Sequence, residues 1–426
     1  MLSGDVAVAA ARRSIDVDME MKHTVKDAAV IVPERDRLDT LMIILSDRLS
    51  ELIAKGEVVR RYYNPGNLFR TVHIVLCNDD RPDPTLVQPM VGDARLVIHA
   101  FPAGLRMFML TLGWRPFLLR LWARPIVRLA RQIAPQLIRC HVANINAFVA
   151  SEIKRRLGIP YALSLHINAD ADVYHREKSD GNWRWRVLGW AIACAETTAV
   201  QEADLVMPVY SPILPYLQRR GVSRYEIVYN AVGQAAQPKS NYAIDRRRVN
   251  AICVGRQLAS GKDPSPILEA MADIPELHLT LIGSGDLHDV LRAKAVSLGV
   301  HGRTTFLRAL PNEQVLARMA QSDIFVYCSQ YHELSKSCIE AALTGLPLVI
   351  NDRDGDPAEE MIGSHFCLVP GTRQGFHAAL RTLIDDDGVR ERLGRAARAH
   401  ALTHWNPHRM ETRVVEIYRR LVRGAG

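Results

Sequence analysis

Arg256 and Lys262 follow a short β-rich run, 249–254, in the string Gly255-Arg256-Gln257-Leu258-Ala259-Ser260-Gly261-Lys262. A glycine and two cations at the carboxyl end of a strand can grip a diphosphate, the arginine by its planar fork and the lysine as a point charge. The next run ends in Gly283-Ser284-Gly285-Asp286, a partial dinucleotide fingerprint with His288 where its third glycine would stand. A nicotinamide oxidoreductase is therefore disfavoured. Further on, the apolar run 324–328 leads through Ser329, Gln330, Tyr331, His332 and Glu333 to a helix start near Ser335 or Lys336, with Gly345 and Pro347 marking its end. Such a start offers backbone N–H groups and a positive dipole end to an anion. Glu340, in the first turns of that helix, has two readings. It is either the capping-box partner of Ser337, worth about 1 kcal/mol, or a bidentate acceptor for two ribose hydroxyls.

These residues need elements to hold them. Apolar runs at 40–45, 72–76, 95–100, 137–140, 161–165, 205–209 and 226–229 alternate with helical stretches such as 146–157, which ends at Gly158 before Pro160. Alternation of this kind predicts a parallel α/β layer. A polar stretch, 233–248, interrupts the pattern, which restarts with strands expected at 249–254, 278–282, 304–307, 324–328, 346–350 and 366–369. The expected organisation is a mobile leader (1–36), a Rossmann-like half (37–235), a linker (236–248), a second Rossmann-like half (249–405) and a terminal segment (406–426). Its amphipathic helix, about 407–423, is placed to return across the cleft between the halves. Ligands of such sheets bind outside the carboxyl ends of the strands, here in that cleft.

At 426 residues, with 48% hydrophobic and 23% charged, the chain is long enough for two cores and too apolar for wholesale disorder. Its seven cysteines are odd in number, far apart and never in a C-x-x-C pair, which points to reduced thiols in the cytoplasm and away from a zinc knuckle. The first 20 residues lack a basic n-region, and nowhere do 18 apolar residues run together. The clusters Asp170/Asp172 and Asp352/Asp354/Asp356 invite a metal reading, but for the second an EF-hand fails at Pro357 and Gly363, where glycine and glutamate are required. No metal and no cofactor is expected.

The basic charge is uneven. Between Ala94 and Ser151 there is no acidic residue but eight arginines: Arg95, Arg106, Arg115, Arg120, Arg124, Arg128, Arg131 and Arg139. At helical spacing Arg120, Arg124, Arg128 and Arg131 form one stripe, with Leu118, Leu119, Trp122, Ile126, Leu129 and Ile133 opposite. Pro116 suits a helix start, and Pro125 should kink the helix or split it in two. One reading is contact with an anionic membrane through Trp114, Arg115, Arg120, Trp122, Arg124 and Arg128. The other is a helix covering a sheet, its arginines facing water. Nucleic acid is not an expected partner, because no zinc finger, RNP-type strand or helix-turn-helix accompanies the charge.

Taken in order, 254–262, 281–285, 322–326 and 332–340 followed by Ala341, Ala342, Gly345, Leu346 and Pro347 resemble family 4 of the retaining GT-B glycosyltransferases. That family carries G-R-x5-K in the first block and E-x7-E in the last. The resemblance implies a GT-B architecture, two Rossmann-like domains facing each other across a cleft. It also implies transfer of a sugar from a nucleoside diphosphate sugar to an acceptor hydroxyl, in bacterial cell-surface glycan or exopolysaccharide synthesis. By that resemblance Arg256 and Lys262 neutralise the leaving diphosphate and Glu340 holds the ribose. His166, in Ser164-Leu165-His166, stands beside the donor sugar, and His141 has a weaker claim to that place. Gly255, Gly283, Glu333, Ser335, Lys336 and Ser337 complete the expected donor site. The chain departs from the family pattern twice. His332 stands where the first glutamate is expected and Glu333 follows it, so either the loop is shifted by one residue or the histidine contacts the donor sugar. The glycine pair usual after the first strand is also missing, with only Lys55-Gly56 and the turn Asn64-Pro65-Gly66-Asn67 nearby. A sugar-nucleotide epimerase or hydrolase of the same fold, and a degenerate nucleotide-binding scaffold, are the alternatives. The expected location is cytoplasmic and peripheral on the inner face of the membrane, the acceptor a glycan or a lipid-linked glycan.

Overall fold

The computed structural model describes residues 30–103, 116–168, 170–171, 183, 196–232, 238–331, 333–353, 361, 363 and 365–424. Among the described residues, twelve strands form two parallel sheets of six. The first contains β1 (Leu38–Leu45), β2 (Phe69–Leu76), β3 (Arg95–Ala100), β4 (Leu137–His141), β5 (Tyr161–Leu165) and β6 (Leu205–Pro208). The second contains β7 (Val249–Val254), β8 (Leu277–Ile282), β9 (Thr304–Leu307), β10 (Ile324–Tyr327), β11 (Leu348–Asn351) and β12 (Cys367–Val369). Their orders, β3-β2-β1-β4-β5-β6 and β12-β11-β10-β7-β8-β9, are the same doubly wound order, reversing between β1 and β4 and between β7 and β10. Central strands such as β4, β5, β10 and β11 are buried along their whole length, which is why they read as continuous apolar runs.

The extended segment expected at 226–229 is not a strand. It follows β6 through Glu226 N–H to Val206 O (3.0 Å) and Val228 N–H to Pro208 O (3.0 Å), leaving an isolated bridge between Val206 and Tyr225. The next bond of a parallel ladder would need an N–H on Pro208, which proline lacks.

Six helices matter for the site. Helix α1 (Pro116–Ile133) is one helix that runs through Pro125, so of the two outcomes expected at that proline it is not split in two. Its buried face is Leu119, Ala123, Ile126, Val127 and Ala130, which joins the core that includes Phe148 and Val149 of α2 (Ile145–Leu157). Packing over two further turns on each side holds the helix together despite the lost hydrogen bond. Helices α3 (Asn312–Gln321), α4 (Lys336–Thr344) and α5 (Asp387–His404) belong to the second half. The last, α6 (Pro407–Gly424), crosses back and inserts Val414, Val415, Ile417 and Tyr418 into the core containing Leu41, Ile43 and Phe69. Glu411 fixes the crossing, accepting from Arg61 Nε (2.7 Å), Arg61 Nη2 (3.0 Å) and Gly66 N–H (2.8 Å).

Residues 238–248 lie on the second half. Lys239 donates its N–H to Thr344 O (2.7 Å) and Tyr242 its hydroxyl to Gly345 O (2.9 Å), while the buried Arg390 guanidinium donates to Tyr242 O at 2.8 and 2.6 Å. No described helix is long and apolar enough to cross a membrane. The described cysteines Cys77, Cys140, Cys253, Cys328, Cys338 and Cys367 are all free thiols.

Candidate active site

The carboxyl ends of β4, β5, β7, β8 and β10 meet at a cavity of about 540 Å³ between the two halves. Gly255, Arg256, Lys262, Gly283, Glu333, Ser335, Lys336, Ser337 and Glu340 line it from the second half, His141 and His166 from the first. Nearly every residue expected at the site thus shares one space. His332 lies outside the described residues.

The loop after β7 is shaped by its neighbours. Leu258 and Lys262 exchange backbone bonds of 2.9 and 2.8 Å, closing a tight turn that Gln330 N–H holds through Gly261 O (2.6 Å). Gly283 and Gly285 let the next loop approach: a Cβ on them would fall 1.8 Å from Gly255 O and 1.9 Å from Gln257 O. The Gly-Ser-Gly string is therefore first a close-packing device that supports the arginine loop.

Lys262 Nζ lies 2.7 Å from Glu333 Oε1, which also accepts the Tyr327 hydroxyl at 2.9 Å. The lysine also sits 5.3 Å from the Tyr331 ring centre. Glu333 holds the lysine in place, and an entering phosphate would compete for it. Arg256 is exposed and forms no ion pair among the described residues.

Helix α4 begins at Ser335, whose side chain accepts from Cys338 N–H at 3.2 Å. Ser337 is therefore not the cap. Its hydroxyl donates to Val254 O at 2.7 Å, tying the helix start to the end of β7. The capping-box reading of Glu340 falls with it: the buried Glu340 accepts from Asn312 Nδ2 of α3 at 2.8 Å. Asn312 carried no signal beyond its place after Pro311 at a helix start.

Across the cleft, His141 Nδ1 and His166 Nε2 are 3.3 Å apart with stacked rings. Tyr62 and Tyr63 flank His141 at 5.3 and 5.2 Å between ring centres. Burial lowers both histidine pKa values, and nearby cations add to it: Lys336 and Arg139 bring His166 down to about 3, while Arg139, His166 and Lys336 act on His141. Both imidazoles are neutral near pH 7. The next residue, Val142, has φ 66, and a β-branched side chain in that region costs roughly 1–3 kcal/mol. Its N–H to Ser164 O, 2.8 Å, fixes this bend directly behind His141.

The halves touch here. Lys336 Nζ is 3.2 Å from Glu57 Oε2 and 5.9 Å from the Tyr62 ring centre. Burial opposes the Lys336 charge, but Tyr62, Glu57 and Glu340 outweigh it and its pKa is raised. Gly56 presses on the other half, where a Cβ would sit 2.5 Å from Leu310 O. This is the use of the isolated Lys55-Gly56.

The basic stripe of α1 is less uniform than its sequence. Trp114 and Arg115 lie outside the described residues. Arg120 donates to Glu152 of α2 at 3.0 Å, beside Arg155 at 2.7 Å, and Trp122 donates to Pro102 O at 3.2 Å. Arg124 and Arg128 are exposed and unpaired among the described residues. Of the aspartate clusters, Asp170 is held by Arg219 (2.7 Å) and Arg220 (3.0 Å), while Asp172, Asp354 and Asp356 lie outside the described residues. No described group of three His, Cys, Asp or Glu side chains has a metal-holding arrangement.

Residues 239–400 match the family described as Glycosyl transferases group 1. The chain is 31% identical over 135 residues to the lipopolysaccharide core biosynthesis glycosyltransferase LpsE of Rhizobium meliloti (strain 1021), a match covering 32% of this chain and 38% of that protein. It is 25% identical over 254 residues to glycogen synthase of Mycobacterium tuberculosis (strain ATCC 25618 / H37Rv), covering 57% and 60% of the two chains. In each case it spans less than two thirds of the relative. Among solved structures, sucrose-phosphate synthase from Thermosynechococcus elongatus superposes with a TM-score of 0.67 at 15% identity, over 91% of this chain and 100% of that one. Residues 239–400 are therefore similar to group 1 glycosyltransferases, and the two facing six-stranded sheets form a scaffold of the GT-B type.

Proposed function

We propose that the chain is a retaining glycosyltransferase of family 4 that moves a hexosyl group from a nucleoside diphosphate sugar to an acceptor hydroxyl in bacterial surface-glycan synthesis. The observation that carries this reading is the convergence on one cavity of Arg256, the Lys262–Glu333 pair, the start of α4 and Glu340, with His141 and His166 opposite. The group 1 match and the name of the Rhizobium relative support it.

In this reading the diphosphate lies against Arg256, Lys262 and the first turn of α4, and the ribose hydroxyls reach Glu340. Negative charge grows on the phosphate as the sugar departs. Cations fixed before the reaction stabilise that charge more than they stabilise the bound donor, which lowers the barrier. The leaving phosphate assists deprotonation of the acceptor on the same face of the sugar, and neutral His166 offers a hydrogen bond there without adding charge. No cofactor or metal takes part in this scheme. The acceptor is a glycan or lipid-linked glycan, and Arg124 and Arg128 of α1 rest the protein on anionic lipid at the cytoplasmic face of the membrane.

A thermal-shift panel of UDP, GDP, ADP and their sugars tests the donor class. The expected result is one base that stabilises the protein and whose sugar is transferred when an acceptor is supplied. Donor consumed equally without any acceptor would indicate an epimerase or hydrolase, and binding without turnover a scaffold.

A further inference from the structure

Of the described arginines in the acid-free segment, Arg139 alone is buried in a strand interior. It stands on β4, beside Ile43 of β1 and Ala162 of β5, and is 7% exposed. Its guanidinium has five N–H donors. Two find acceptors, Tyr62 O at 3.4 Å and Ser164 Oγ at 3.2 Å, while Nε has no partner. The ring centres of Tyr62 and Tyr418 are each 5.7 Å from Cζ. Among the described residues Arg139 pairs with no carboxylate. Arg61, which lines the same cleft, is by contrast matched by Glu411.

A buried guanidinium without a counter-charge is costly, and such groups are normally paired. The missing partner has room to enter. Arg139 lines a second cavity of about 1050 Å³, which opens between α6 and the first half. His166, Ser164 and Asn230 line it too. The exposed Arg60 stands on the same wall. Of the acids there, Glu411 is occupied by Arg61, and Asp93 by Asn67 and Arg37. The remaining one, Glu313, stands on the opposite, second-half wall.

We propose that Arg139 is an acceptor-binding residue, and that the acceptor carries an oxyanion, a phosphate or a carboxylate, close to the hydroxyl that receives the sugar. This rests on the transferase reading of the same cleft. His166 borders both cavities, so an acceptor anchored on Arg139 would lie on the first-half side of the donor sugar. The planar fork suits either oxyanion bidentately, which a lysine could not reproduce.

The test separates this site from the donor clamp by working in the Arg256→Ala/Lys262→Ala background, where a phosphate cannot use those cations. Melting temperature is followed against inorganic phosphate, a hexose 6-phosphate, glucuronate and glucose. The expected result is stabilisation by at least one oxyanion and none by glucose, with phosphates and glucuronate compared to identify the group. Adding Arg139→Gln should weaken that response by about tenfold or more, as for loss of a charge-assisted pair, and Arg139→Lys should keep part of it. An equal response in Arg139→Gln, or no response to any oxyanion in the background variant, overturns the proposal. Should the glutamine variant not fold, an undiminished response in Arg139→Lys overturns it as well. Nucleotide binding by the wild type is measured separately: its absence, with the oxyanion response intact, would remove the transferase reading and leave the anion site standing.

Discussion

Lys336 Nζ lies 3.2 Å from Glu57 Oε2, joining the first turn of α4, where the donor phosphates are proposed to bind, to the loop that follows the first helix of the other half. The pair is part-exposed, 38% and 44% by side chain, so its share of folding stability is small, about 0–1 kcal/mol. Its effect should appear in closure. Glu57→Gln should raise the donor KM several-fold with little change in melting temperature. An unchanged KM would reduce the pair to a surface contact.

His166 gives a prediction with a definite sign. Its folded pKa, about 3, lies below the ordinary histidine value of 6.5, because burial and then Lys336 and Arg139 oppose its charge. Between those values the unfolded chain binds the extra proton, so the stability it contributes is fully present above pH 6.5 and is lost as pH falls through the window. Its ring resonances in the empty protein should therefore stay constant from pH 8 to 5. A midpoint near 6.5 would contradict the described environment.

Glu340→Gln tests the ribose contact. The amide keeps an oxygen for Asn312 but loses the charge, so nucleotide affinity should drop by about tenfold while stability changes by under about 1 kcal/mol. Unchanged affinity with a large stability loss would make the residue a structural link between α3 and α4.

The proposed membrane contact rests on Arg124 and Arg128, since Arg120 is matched by Glu152. With each exposed cation contributing about 1 kcal/mol near an anionic surface, Arg124→Gln/Arg128→Gln should release the protein from anionic vesicles at low salt. Equal co-sedimentation of wild type and variant would return these arginines to a solvated helix face.

The interior strands were legible because parallel sheets buried on both faces need apolar runs, and 161–165 and 249–254 coincide with strands residue for residue; the part-exposed edge strands 95–100 and 304–307 do so too, on their β-branched and aromatic residues. The segment 226–229 was misread because its apolar character is real while Pro208, on the neighbouring strand, decides the ladder. At the site, cations next to strand ends announce themselves locally. What did not show were the partners brought from elsewhere: Asn312 on Glu340, Tyr327 on Glu333, Glu57 on Lys336 and Glu152 on Arg120. Ser335, not Ser337, became the cap because Ser337 finds the carbonyl of Val254, an acceptor that only the folded sheet supplies.

The most direct test of the central claim is donor turnover by wild type, Arg256→Ala and Lys262→Ala under matched conditions. Loss of one preorganised cation facing the developing phosphate charge should lower kcat by about 100-fold or more, roughly 3 kcal/mol, in either variant. Wild-type turnover in Arg256→Ala would contradict the account.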